Sequence, residues 1–124
     1  MRRHWLLSAA LFLGLLAAPP AQAAPPEGSL DKEGIRKVVR ANIGDVRACY
    51  NSVLESDPDW AGRVAISFTI GPVGAVTATR VESTEDRDHG LAQCVAGVIE
   101  TWAFPAPEGG GNVLVTYPFH FAPG

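Results

Sequence analysis

No apolar run in this sequence is long enough for a helix to cross a membrane. The longest, within residues 5–18, holds about 14 apolar residues against the roughly 20 that a span requires. Cysteine is scarce: Cys49 and Cys94 are the whole supply, so the close ligand pairs of a zinc site and the C-x-x-C of a redox dithiol are both missing. Positive charge is scarce too. Ten Lys and Arg against thirteen Asp and Glu leave a net charge of −3, which excludes the broad basic field that nucleic acid selects. Catalytic signatures are absent: there is no G-x-S-x-G elbow and no H-E-x-x-H, and Gly109-Gly110-Gly111 is not followed by the Lys-Ser/Thr of a phosphate loop. With 124 residues, 47% hydrophobic and 19% charged, the chain suits one folded domain and neither a disordered tail nor a multidomain enzyme.

What is present begins with a removable segment. Arg2 and Arg3 precede the apolar stretch, Pro19-Pro20 closes it, and Ala21-Gln22-Ala23 supplies an A-x-A cleavage site. Residues 1–23 are therefore expected to be a cleaved signal peptide, which places the mature chain, from Ala24, in the periplasm or outside the cell. Without Arg2 and Arg3, eight basic residues face thirteen acidic ones, a net of −5. Residues 24–29 carry Pro25, Pro26 and Gly28 and read as a short tether; residues 30–124 are the domain. In an oxidising compartment two cysteines read first as a disulfide between Cys49 and Cys94. A metal site from Cys49, Cys94, His89 and His120, or a reactive thiol, are the alternatives.

Hydrophobic spacing divides the domain. Asp31 is a plausible N-cap, and Ile35, Val38, Val39, Ile43, Val46, Cys49, Tyr50, Val53 and Leu54 recur at helical intervals, with Lys32, Arg36, Lys37, Arg40 and Arg47 largely opposite. Gly44 interrupts this stretch, which predicts either two short helices or one bent helix ending before Asp57-Pro58. Residues 62–70 alternate strictly and predict a half-buried strand. The turn Gly71-Pro72-Val73-Gly74 then leads to a more polar strand over 75–82. Leu91, Cys94, Val95, Val98, Ile99 and Trp102 predict a further helix, and residues 113–121 a third strand.

The order α-β-β-α-β restricts the sheet. The third strand runs with the second, so its antiparallel partner must be the first, giving an α+β fold with a three-stranded antiparallel sheet in spatial order 2-1-3, packed by helices. Pro118 requires the third strand to be an edge, because its missing N–H must face away from the ladder. The outward row of residues 116, 118 and 120 is thereby interrupted, whereas the second strand is unbroken. Candidate partner-binding residues are accordingly Val76, Thr77, Ala78, Thr79, Arg80 and Val81 on that second edge. His89 and His120 are isolated, and the spacing of Asp57, Asp59, Glu82, Glu85, Asp86 and Asp88 forces no catalytic pair together, so no cofactor or catalytic residue is assigned.

The strand residues Gly62-Arg63-Val64 through Phe68 and Ile70, then Gly74-Ala75-Val76, Trp102-Ala103-Phe104-Pro105 and the Val113, Val115, Phe119 strand resemble the C-terminal domain of TonB-type proteins. Cys49-Tyr50, a distant Cys94-Val95, Trp102-Ala103-Phe104-Pro105 and Tyr117-Pro118-Phe119 are similar to one branch of that group, the AgmX/PglI C-terminal domain of myxobacterial gliding-motility proteins. The likeness runs from about residue 30 to 121. It implies a non-enzymatic domain of the cell envelope that docks other envelope proteins, with Tyr50, Gly62, Gly74, Trp102, Phe104, Pro105, Tyr117, Pro118 and Phe119 as its structural motif. Gliding motility is implied only through that family. Ala103 departs from the basic residue of TonB itself, and no anchor or long proline-rich spacer is read here, so a freely exported docking module is expected. The competing expectations are a self-associating envelope component, such as a homodimer, and a small metal-binding protein or enzyme using His89 and His120.

Overall fold

A computed structural model describes residues 27–124, and the signal-like segment and cleavage site lie outside them. Six elements follow one another: α1 (Lys32–Ala41), α2 (Ile43–Ser56), β1 (Gly62–Ile70), β2 (Val76–Thr84), α3 (Leu91–Ile99) and β3 (Val113–Phe121). Asp31 caps α1, its carboxylate accepting the Glu33 N–H at 3.4 Å. The helical stretch is divided, and the break falls at Asn42, two residues before Gly44. Asn42 leaves helical geometry at φ −111°, donates its side-chain amide to the Val38 carbonyl at 2.8 Å, and offers its own carbonyl to the Asp45 N–H. A short amide side chain that competes for backbone partners ends a helix more effectively than the flexibility of glycine does.

The sheet has the order β2-β1-β3, antiparallel throughout. The strand β3 pairs with β1 along its whole length, from Gly62 opposite Phe121 to Ile70 opposite Val113, without a bulge. The other ladder shifts register twice, between Ala65 and Ile66 and between Thr69 and Ile70 of β1, which leaves Glu82 and Thr77 of β2 as extra residues. Val64, Ile66, Phe68 and Ile70 point toward the helices and are buried with Val46, Cys49 and Val53 of α2 and Leu91, Val95 and Ile99 of α3. A disulfide joins Cys49 to Cys94 with a Cα separation of 5.8 Å, fastening α2 to α3.

Several local expectations are corrected. The strand β1 is buried on both faces: Ala65 and Ser67 are each 5% exposed, because the flanking strands crowd the small central residues. Ser67 Oγ donates to Glu82 Oε2 at 3.0 Å and lies 2.8 Å from Thr116 Oγ1, a polar ladder across all three strands. Its neighbours hold the Glu82 carboxyl below its ordinary range, first through a hydrogen bond from Arg80, then through that from Ser67. Cys94 does not sit on the apolar face of its helix; it is exposed while Cys49 is buried. The helix α3 stops at Ile99, short of Trp102, and β2 extends to Thr84. Residues 27–29, read as tether, bridge to the glycine-rich loop: the Gly28 N–H donates to the Asn112 carbonyl, and Ser29 and Glu108 exchange both backbone bonds.

Candidate docking site

The residues of the sequence motif hold the sheet in place. Tyr50 on α2 is buried, its hydroxyl donating to the Trp60 carbonyl at 2.6 Å and its ring 5.1 Å from that of Phe121. Burial first, and the Asp57 charge second, push its phenol above the ordinary tyrosine range. Gly62 lies against the Trp60 ring, 2.9 Å from where a Cβ would stand. Trp102 and Phe104 are buried, and the segment they belong to straps the start of β2: Ala103 bridges Ala75, and the Phe104 N–H donates to the Gly74 carbonyl at 3.0 Å. Gly74 has φ +89°, and a Cβ there would overlap the Phe104 carbonyl oxygen. Pro105 is exposed at the end of the strap. Tyr117 is half-buried with its ring 5.1 Å from that of Phe119, which is buried.

The two histidines occupy different surroundings. His89, in the loop before α3, lies with Nδ1 2.6 Å from Asp86 Oδ1 and Nε2 3.9 Å from Asp57 Oδ2. His120 is exposed on β3 opposite Arg63. The thiols that a metal would need are consumed in the disulfide, and among the described residues no three His, Cys, Asp or Glu side chains gather as a metal site. Asp86 is occupied structurally, collecting the N–H groups of Asp88, His89 and Leu91 at the head of α3.

Among the described residues, both outer strands leave one backbone row without a strand neighbour. Pro118 lies opposite Ala65, and its missing N–H places the polar backbone groups of Leu114, Thr116 and His120 on the outer side of β3. By the same alternation, with the Arg63 carbonyl accepting from Glu85 on the β2 side, Thr79 and Val81 present theirs on the outer side of β2. The expected partner-binding residues 76–81 therefore do form an edge. Its ends carry the bulges at Thr77 and Glu82, its start is tied by Ala103, and Thr79 Oγ1 donates to Glu100 at 2.9 Å.

The β3 edge has a feature the sequence did not reveal. A groove of about 400 Å³ runs beside residues 113–118, closed on its far side by Leu30, Lys32, Ile35 and Arg36. A second, of about 230 Å³, continues beside residues 119–122 against Ile43, Val46, Arg47 and Tyr50. Leu114 is 75% exposed at its mouth. The helical residues were legible as an apolar stripe with a basic flank; that α1 stands off from β3 and leaves a trough was not, because it depends on how α1 docks.

A scan of protein-family models and a search of curated proteins gave no match to this chain. Among solved structures, the chain is similar to the NMR solution structure of the Helicobacter pylori TonB C-terminal domain, at 17% identity and a TM-score of 0.40, over 77% of this chain and 96% of that one.

Proposed function

We propose that this chain is an exported, non-enzymatic docking module that takes an extended segment of a partner protein as an additional strand. The observation that carries the reading is the β3 edge: an outward row of backbone groups opens directly into a trough with an apolar floor, running beside residues 113–122, long enough for a strand to lie in. Backbone hydrogen bonds to Leu114 and Thr116 would hold the segment, and the trough would receive its alternate side chains. The disulfide suits an oxidising compartment, in keeping with the signal-like N-terminus, and the sequence resemblance to TonB-type domains points the same way.

The β2 edge is the second reading, favoured by a row without proline and by the exposure of Thr77, Ala78 and Arg80. The two separate on proline substitution at outward-facing positions, since proline there removes a donor from the free row and leaves the internal ladder intact. Capture of envelope proteins by the full chain should be lost in Thr116→Pro and kept in Thr79→Pro, with unchanged circular dichroism in both. The opposite pattern assigns docking to β2. Capture unaffected by either substitution refutes strand addition.

A further inference from the structure

The trough beside β3 selects for charge as well as for shape. Lys32, Arg36 and Arg47 stand along its helical wall, and among the described residues that line it there is no carboxylate, in a chain whose acids outnumber its bases. Glu33 engages Arg40 at 2.7 Å and Arg36 at 3.6 Å from outside the trough, with the three side chains more than half exposed. Lys32 and Arg47 have no carboxylate within 4.0 Å among the described residues. The cationic wall is continuous with the apolar floor of Leu30, Ile35, Val113 and Tyr117.

Resting on the docking reading above, we infer that the segment accepted by β3 is acidic, with carboxylates at alternate positions turned toward α1 and the residues between them on the opposite face of the sheet, beside the exposed Leu114. The spacing follows from the two geometries. Lys32 and Arg36 are one helical turn apart, about 6 Å along the axis. A strand advances about 3.3 Å per residue, so positions i and i+2, which share one face, cover the same interval. Carboxylates so placed meet both cations while the backbone pairs with β3. An anionic membrane surface offers negative charge too, but it supplies no backbone to pair with the edge and no narrow body to enter the trough.

The probes are three nine-residue labelled peptides that alternate Val with Asp, Val with Ser, or Val with Lys, titrated by fluorescence anisotropy into the full chain at low ionic strength. The Asp peptide is expected to bind on the order of tenfold more tightly than the Ser peptide and to lose that advantage as salt rises. The Lys32→Glu/Arg36→Glu double variant should reverse the order, favouring the Lys peptide, and the milder Lys32→Ala/Arg36→Ala variant should abolish the preference. N-methylation of alternate amides in the Asp peptide should remove its binding. Equal binding of the three peptides, still sensitive to N-methylation, overturns the charge inference and leaves strand docking standing. Asp-peptide binding that survives N-methylation overturns strand docking and reduces the surface to a cationic patch. Binding to phosphatidylglycerol vesicles that the charge variants abolish, with no peptide bound at millimolar concentration, overturns both in favour of a membrane-facing surface.

Discussion

Among the described residues, no other charged side chain gathers as many hydrogen bonds as Asp86. It is 5% exposed, and its two oxygens accept the N–H groups of Asp88, His89 and Leu91 and face the His89 ring. Burial pushes its pKa up, but the Leu91 N–H, the imidazole and the remaining amides together outweigh burial and hold it below the ordinary aspartate value. A lowered folded pKa contributes stability that is fully present above the unfolded pKa, about 3.9, and is lost as pH falls through the folded value. Asp86→Asn should therefore cost about 1–3 kcal/mol at neutral pH, by placing amide hydrogens against backbone donors, and should flatten the loss of stability below about pH 4. Urea melts of both proteins across pH 3–7 measure the two effects. Gly74 is the other sensitive residue. With φ at +89° and no room before the Phe104 carbonyl, Gly74→Ala should destabilise on the order of 3 kcal/mol, read as a lower urea midpoint at unchanged slope.

At the scale of elements, the disulfide decides how α2 and α3 are held. It closes a separation of 45 residues, worth about 4 kcal/mol on the chain-entropy account, a large share of a small domain's stability. Cys49→Ala/Cys94→Ala should lower the unfolding free energy by roughly 2–4 kcal/mol. Equal stability of that variant and the native protein would show that the unfolded chain is already compact. The break at Asn42 belongs to this scale as well. It ends α1 at Ala41, and the trough along β3 exists because α1 stands at that edge without closing on it. Periodicity foretold the helices, since an apolar stripe is a local property of the chain. The place of the break was less legible: glycine is the obvious weak point, while a capping asparagine acts through hydrogen bonds that are visible only once the backbone is in place.

For the whole molecule, the sheet edges govern association. Among the described residues, the topology leaves the edge of β3 without a neighbouring strand and Pro118 interrupts its outer row, while the edge of β2 carries two bulges. Pro118→Thr restores a donor to the outer row, so that two β3 edges can pair about a two-fold axis. Sedimentation of the full chain should then show concentration-dependent dimers that the native protein forms less readily, and equal behaviour would mean that proline is not what keeps the edge free. Charge is also organised at this scale. Lys32, Arg36, Lys37, Arg40 and Arg47 gather on α1 and the first half of α2, while the acids dominate the rest of the chain. The net charge of −3 describes neither region.

The sequence by itself determined the strands, their antiparallel order 2-1-3 and the edge position of β3. Alternation, the direction of each connection and the missing N–H of Pro118 are constraints carried by the chain locally. It also offered the Cys49–Cys94 disulfide as its first reading of the two cysteines, and the structure joins them. Only the tertiary structure decided that Ala65 and Ser67 are covered, that Cys94 is exposed, that β2 is bulged, and that the edge broken by proline opens into a trough with a cationic wall. Each of these depends on residues far apart in sequence meeting, through strand register for the covered residues and the bulges and through helix docking for the trough, and no periodicity within one segment encodes either.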